Sequence, residues 1–88
     1  MNTLILTVTN GPNRGRTVNV CRGEPCLIGR GPEADFVLID LRMSRKHFVV
    51  AGSPVVWQAR DMHSRPGTFV NDKQIEQIAL KQEDMIDA

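Results

Sequence analysis

The side chains best suited to chemistry lie in three short stretches of this 88-residue chain. Arg30 stands between Gly29 and Gly31, directly after the apolar run "CLIG" (26–29). Glycine on either side lets the backbone bend tightly and clears neighbouring side chains from around the guanidinium. Its planar fork matches phosphate or carboxylate oxygens two at a time. The second stretch is "RMSRKHF" (42–48), where Arg42, Arg45 and Lys46 crowd the hydroxyl of Ser44 and His47 follows. A hydroxyl and loop amides donate to anionic oxygens, and cations nearby raise local anion occupancy. The third stretch, "DMHSRPGTFVN" (61–71), adds Arg65. Each feature has a plainer reading: Arg30 as an unpartnered surface cation, and Ser44 as a turn serine bonded to its own backbone.

Catalysis fits these residues poorly. Asp61, His63 and Ser64 are so close in sequence that an extended chain cannot easily turn them toward one another as a triad. There is no G-x-S-x-G elbow. On a strand over 46–51, both faces around His47 are apolar, which sends the ring into or along the core. A neutral imidazole there satisfies itself on backbone groups, pinning the Ser44 loop to a neighbouring loop rather than moving protons. No enzyme activity is expected. Cys21 and Cys26, separated by "RGEP", read as reduced thiols of a cytosolic chain. A bridge between them across a hairpin would need their Cβ atoms to meet. His47 and His63 add too little for a metal site, so no metal or cofactor is expected.

Bulk properties bound the partners. No apolar run approaches the roughly 20 residues of a membrane span. The opening "MNTLILTVTNG" has no basic region and carries threonines through its apolar part, so no signal peptide and no membrane partner are expected, and a cytoplasmic location is. The net charge of +1 provides no global basic field. Residues 1–65 hold nine Lys or Arg against five Asp or Glu, whereas residues 66–88 hold two against five. That asymmetry on its own implies only a solvated surface. With three Phe and one Trp, mostly needed in the core, stacking platforms for nucleic acid are scarce, and no nucleic-acid partner is expected.

The elements that must hold these residues are strands. Short apolar runs alternate with turn residues about every ten positions, the pattern of an all-β sandwich. In 3–9, Leu4, Leu6 and Val8 share one face; in 16–21, Val18 and Val20 do. Further strands are expected at 26–29, 36–39, 46–51, 55–61 and 68–70, with Val55, Trp57 and Ala59 on one side. Asn71-Asp72 suits a two-residue hairpin turn. Residues 73–80 fit an irregular segment or a helical turn, and 84–88 the start of one more strand. The fold class is therefore all-β, two packed sheets, with loops 30–35, 40–45 and 62–67 free to carry binding function.

Taken together, "LIGR" (27–30), "DLRMSRKH" (40–47) and "SRPGTFVN" (64–71) resemble a forkhead-associated (FHA) domain, and "LTVTNGPNRGRTVNV" (6–20) is similar to the opening hairpin of its bacterial members. The resemblance implies one domain over residues 1–88: a two-sheet antiparallel β-sandwich of the FHA/SMAD type, about eleven strands, reading phosphothreonine peptides through its apical loops. Carried over by position, Arg30 would pair with the phosphate and Ser44 would hydrogen-bond it. Arg45 would lie along the peptide or add to the field. His47 and Gly67 would hold the loops in shape, and Asn71 would serve in a turn. The implied partner is a phosphothreonine-containing protein or peptide.

Two kinds of departure stand out. Where the family usually has an Asn that contacts the peptide backbone, this chain has Pro66, which has neither side-chain donor nor N–H. Losing two hydrogen bonds at roughly 1 kcal/mol each would weaken binding about thirtyfold. The residue before it, Arg65, could strengthen the grip on phosphate or obstruct the groove. The family also runs on from "DMIDA" into a last strand that pairs with the first, and that strand is missing here. The expectation is a fragment of a longer protein, or an edge covered by another chain, homodimerisation by strand exchange or edge pairing being one form. The competing functional reading is a phosphate-independent protein-interaction or dimerisation module.

Overall fold

Alternation of apolar and polar residues, with turns too frequent for helices, produces ten strands and no helix among the described residues. The computed structural model describes residues 2–87. The strands are β1 (Thr3–Thr7), β2 (Thr17–Cys21), β3 (Cys26–Gly29), β4 (Phe36–Val37), β5 (Phe48–Gly52), β6 (Trp57–Asp61), β7 (Thr68–Val70), β8 (Lys73–Ile75), β9 (Gln77–Leu80) and β10 (Ile86–Asp87). One layer is a five-stranded sheet in the order β4-β3-β5-β6-β9. The other consists of two pieces, β1-β2 and β10-β7-β8.

The core lies between these layers. Ile28, Phe36, Phe48, Val50, Trp57 and Ala59 from the larger sheet meet Val20, with Leu4, Leu6, Val8 and Val18 packed against them. The period-two reading of β1 and β2 thus holds side chain by side chain. The sheets are antiparallel except for one pair: β3 and β4 run parallel, Ile28 opposite Phe36 and Gly29 opposite Val37. The connecting loop is too short for a full crossover. Asp35 holds the pair instead, its N–H donating to the Leu27 carbonyl at 2.8 Å and its carboxylate accepting from the Leu27 N–H at 2.8 Å.

Several strand ends differ from those expected. The strand expected to run to Ile39 stops at Val37, because the Asn13 amide takes over as partner. It donates to the Ile39 carbonyl at 3.1 Å and accepts from the Ile39 N–H at 3.0 Å. Ile39 is left 74 % exposed. Val55 is outside β6 and 89 % exposed, since the Ser53 hydroxyl accepts from the N–H groups of Val55 and Val56 and rounds the chain into a turn. Residues 73–80 form β8 and β9 rather than a helical turn, broken at Glu76, whose carbonyl accepts the Asp61 N–H at 2.8 Å. Asn71 and Asp72 make the expected hairpin turn, with φ of 50° and 70°. Of the strand start expected at 84–88, Ile86 and Asp87 form β10; Ala88 lies outside the described residues. Neither Cys21 nor Cys26 is disulfide-bonded. Burial, then the Asp35 charge, pushes the Cys26 thiol up, away from thiolate chemistry.

Candidate functional site

Three loops converge beyond the ends of β3, β5 and β7. The first two are zipped together through the backbone. The Arg30 N–H donates to the Ser44 carbonyl at 3.1 Å, and the Gly31 N–H to the Arg45 carbonyl at 3.0 Å. Gly29 permits this approach: a Cβ there would lie 2.1 Å from the Arg45 carbonyl oxygen. The glycine before Arg30 is required by a neighbouring chain segment, besides being convenient for bending.

The Arg30 side chain leaves this platform half-buried. Its Nε donates to the Met43 carbonyl at 2.9 Å, which orients the guanidinium. Both terminal nitrogens remain unpartnered among the described residues. Met43 is buried in the core beneath, so the loop is anchored by packing as well as hydrogen bonds.

Ser44 is held from two sides. Its N–H donates to His47 Nδ1 at 3.1 Å, and its hydroxyl oxygen accepts the Arg65 N–H at 3.0 Å. A serine oxygen that accepts still has its own proton to donate. The hydroxyl therefore reaches the loop surface oriented, with its donor capacity unspent.

His47 precedes β5 instead of lying within it, and it is fully buried. Because Nδ1 accepts from Ser44, the ring proton sits on Nε2, which donates to the Gly67 carbonyl at 2.8 Å. The His47 N–H donates to Ile28 at 3.0 Å, and its carbonyl accepts from Met62 at 2.9 Å. One side chain and its backbone thus join β3, the Ser44 loop and the loop 62–67. Gly67 has a φ of 88° and the Gln74 amide nitrogen 2.8 Å from where a Cβ would be, so only glycine fits without strain.

The third loop has a brace that the sequence did not reveal. The Asp61 carboxylate accepts from the Ser64 hydroxyl, from the Ser64 N–H at 3.2 Å and from the Thr68 hydroxyl at 2.8 Å. Desolvation works to raise the Asp61 carboxyl, but the hydrogen bonds from Ser64 and Thr68 outweigh it and hold it below the usual range. A carboxyl lowered by folding stabilises the native state above its unfolded value, and that contribution is lost as the pH falls through the folded value. The Asp61→Asn variant should be about 1–2 kcal/mol less stable at pH 7, from weakened hydrogen bonds. The gap should close below about pH 4. Urea unfolding of both proteins from pH 7 to pH 2.5 measures it. His63 makes no hydrogen bond to Asp61 or Ser64 among the described residues, so the three do not form a triad.

Electrostatically the loops form an open cationic surface. Arg45, Lys46 and Arg65 are exposed and, among the described residues, have no side-chain partner. Arg42 is withdrawn from this cluster. It holds Asp40 through Nε and Nη2 at 3.2 and 3.1 Å, which keeps the Asp40 carboxyl below the usual range. The structure thus brings Arg30, Ser44, Arg45, His47, Arg65 and Gly67 to one end of the sandwich. Asn71 lies at the opposite end of β7 from Gly67. It binds a different turn, donating to Asp84 at 2.9 Å and accepting the Met85 N–H at 3.0 Å. A preset hydroxyl, two free guanidinium nitrogens and three further cations suit a compact, multiply charged anion.

Residues 7–88 match a family model described as the inner membrane component of T3SS, cytoplasmic domain, an FHA-like family. The FHA domain-containing protein FhaA of Mycobacterium tuberculosis is 35 % identical over 72 residues, 82 % of this chain. The chain spans 14 % of the length of that relative. A solved FHA domain, studied for phosphothreonine-dependent interactions, is 32 % identical with a TM-score of 0.86, covering 97 % of this chain and 85 % of its own. The FhaA FHA domain, solved in complex with the intracellular domain of another protein, is 32 % identical with a TM-score of 0.84, covering 94 % and 88 %. Fold, loop signature and these likenesses agree: the chain belongs to the forkhead-associated domain family.

Proposed function

We propose that this domain recognises phosphothreonine in a partner protein, the phosphate resting between Arg30 and Ser44 with Arg45 and Arg65 beside it. The observation that carries this reading is the double zip of residues 30–31 onto 44–45. It fixes one guanidinium and one hydroxyl on a shared backbone platform, while the two terminal guanidinium nitrogens and the hydroxyl proton stay unspent among the described residues. A phosphothreonine brings a charge of about −1.5 to −2 and three acceptor oxygens, so it requires several donors already in place. Ordering long side chains on binding costs affinity, and the Met43 carbonyl has already ordered Arg30. The relatives support the same reading, since one was studied for phosphothreonine-dependent interactions.

The test is a titration with matched peptide libraries carrying phosphothreonine, phosphoserine or unmodified threonine. Binding confined to the phosphothreonine set is expected. Equal binding of the unmodified set would overturn the proposal and favour a phosphate-independent interaction module, a role in which Pro66 would be no handicap.

A further inference from the structure

The outer face of the five-stranded sheet breaks the polar half of the alternation. An antiparallel sheet with one covered face ordinarily turns polar side chains to solvent on the other. Here Leu27 on β3 and Val49 and Ala51 on β5 point outward, each half-buried, and Ala79 follows on β9. Register joins them into one surface. Leu27 lies opposite Val49, and Gln58 opposite both Ala51 and Ala79. The Gln77 side-chain amide donates to the Gln58 side-chain oxygen at 3.1 Å, so these two neutral groups partly satisfy each other. Among the described strand residues of this face, Arg60 alone is charged. It is exposed and has no side-chain partner among the described residues.

We propose that this face pairs with the same face of a second copy, in a transient twofold dimer whose axis runs along β5. That strand is the middle one of β4-β3-β5-β6-β9. A half-turn about it sets Val49 on Val49 and lays β6 of one copy over β3 of the other. Stacked sheets pack with their strands within about 30° of each other, the geometry this axis gives. Leu27, Val49 and Arg60 form one cross-strand row, so Arg60 comes over the second copy's Leu27. Asp35 borders that leucine, its carboxylate accepting the Leu27 N–H at 2.8 Å, and it is exposed. It lies about one strand spacing, roughly 4.8 Å, beyond Leu27, within reach of the Arg60 side chain. The twofold makes this ion pair twice. That charge match selects a second copy as the occupant and fixes the axis. A half-turn about an axis across the strands would lay β6 on β6, whose outward residues, Gln58 and Arg60, include no acid. The face measures roughly 19 by 17 Å, so two copies bury less than the roughly 1,200 Å² of a standard complex and associate weakly. Both Arg30–Ser44 ends then point the same way. That they would grip a doubly phosphorylated partner rests on the phosphothreonine reading, whereas the dimer does not.

The test is sedimentation equilibrium of the 88-residue chain, without peptide, from ~1 µM to ~1 mM, the range of weak association. A single monomer–dimer equilibrium is expected. Arg60→Glu, at an exposed and unpartnered position, should weaken the dimer at least fivefold by setting like charges against Asp35 twice. Raising the salt from ~0.05 to ~0.5 M should weaken the wild-type dimer too, because exposed ion pairs are screened. Val49→Lys puts two cations face to face on the axis and should abolish the dimer at every concentration. Amide spectra of both variants check that the sandwich itself stays folded. A chain that is monomeric throughout would overturn the proposal. So would a dimer indifferent to Val49→Lys, or one that ignores Arg60→Glu and tightens with salt. Phosphopeptide titration at micromolar chain reads the Arg30–Ser44 site alone, so the two proposals fail or survive separately.

Discussion

Replacing Arg30 with alanine should lower affinity for a phosphothreonine peptide at least tenfold while leaving the domain folded. The two unpartnered guanidinium nitrogens are positioned for charge-assisted hydrogen bonds, each worth about 1.5–3 kcal/mol. Losing even one corresponds to a tenfold change or more. The structural cost is small, because among the described residues the side chain makes one hydrogen bond, to the Met43 carbonyl. That bond contributes about 1 kcal/mol. Arg30→Lys separates charge from geometry: it keeps the cation but loses the fork, so its affinity should fall between wild type and alanine. Calorimetric titration measures the affinities and urea unfolding the stabilities. An alanine variant that binds like wild type would remove Arg30 from the site.

His47→Ala should show the reverse pattern, a large loss of stability with binding lost as a consequence. The ring is fully buried. Its removal leaves the Ser44 N–H and the Gly67 carbonyl without partners and opens a cavity where three segments meet. Unsatisfied buried groups cost about 1–3 kcal/mol each, so a total of about 3–5 kcal/mol is expected once the cavity is included. A domain of this size has roughly 5–10 kcal/mol in all. Its melting temperature should therefore fall by about 15 °C or more. Where the variant remains folded at low temperature, phosphopeptide affinity should still be reduced, because Ser44 loses the contact that orients its loop. Thermal unfolding followed by circular dichroism, together with titration at 5 °C, checks both parts. A variant with wild-type stability would contradict the bracing role.

The sequence carried most of the fold because a sandwich writes itself in period two. Leu4, Leu6 and Val8 had to face together, and they do. What it could not show was how single polar side chains end strands. Asn13 stops β4 from 26 residues away in sequence, and Ser53 turns the chain at Val55. Nothing in the local pattern distinguishes those positions from ones where a strand continues. Residues 73–80 carry no clean alternation, and their strands are set by pairing with β6 and β7, a tertiary effect.

The candidate site was legible in its residue types but not in its wiring. Glycine on both sides of Arg30, and the serine three positions before His47, marked where to look. The histidine's parity suggested a structural ring, and its two bonds have that form. Which cations remain available was hidden. Arg42 looked equal to Arg45 until Asp40 captured it, although an acid two residues before an arginine in a loop was a readable hint. The brace from Asp61 to Ser64 and Thr68 was not legible either, because Asp61 and Ser64 suggest a triad with His63 and Thr68 reads only as a strand residue, and nothing local marks the three as hydrogen-bonding partners. Asn71 was correctly read as a turn residue, but its turn lies at the far end of β7.

Nitrogen-15 NMR of the labelled chain, titrated with a phosphothreonine peptide, tests most directly whether Arg30 and Ser44 converge on one phosphate. The Arg30 guanidinium and the amides of Ser44, Arg45 and Arg65 should shift together with a single midpoint, while Asn71 and Asp84 stay in place. Shifts confined to the outer face of the five-stranded sheet, or an unmoved Arg30 guanidinium at saturating peptide, would contradict it.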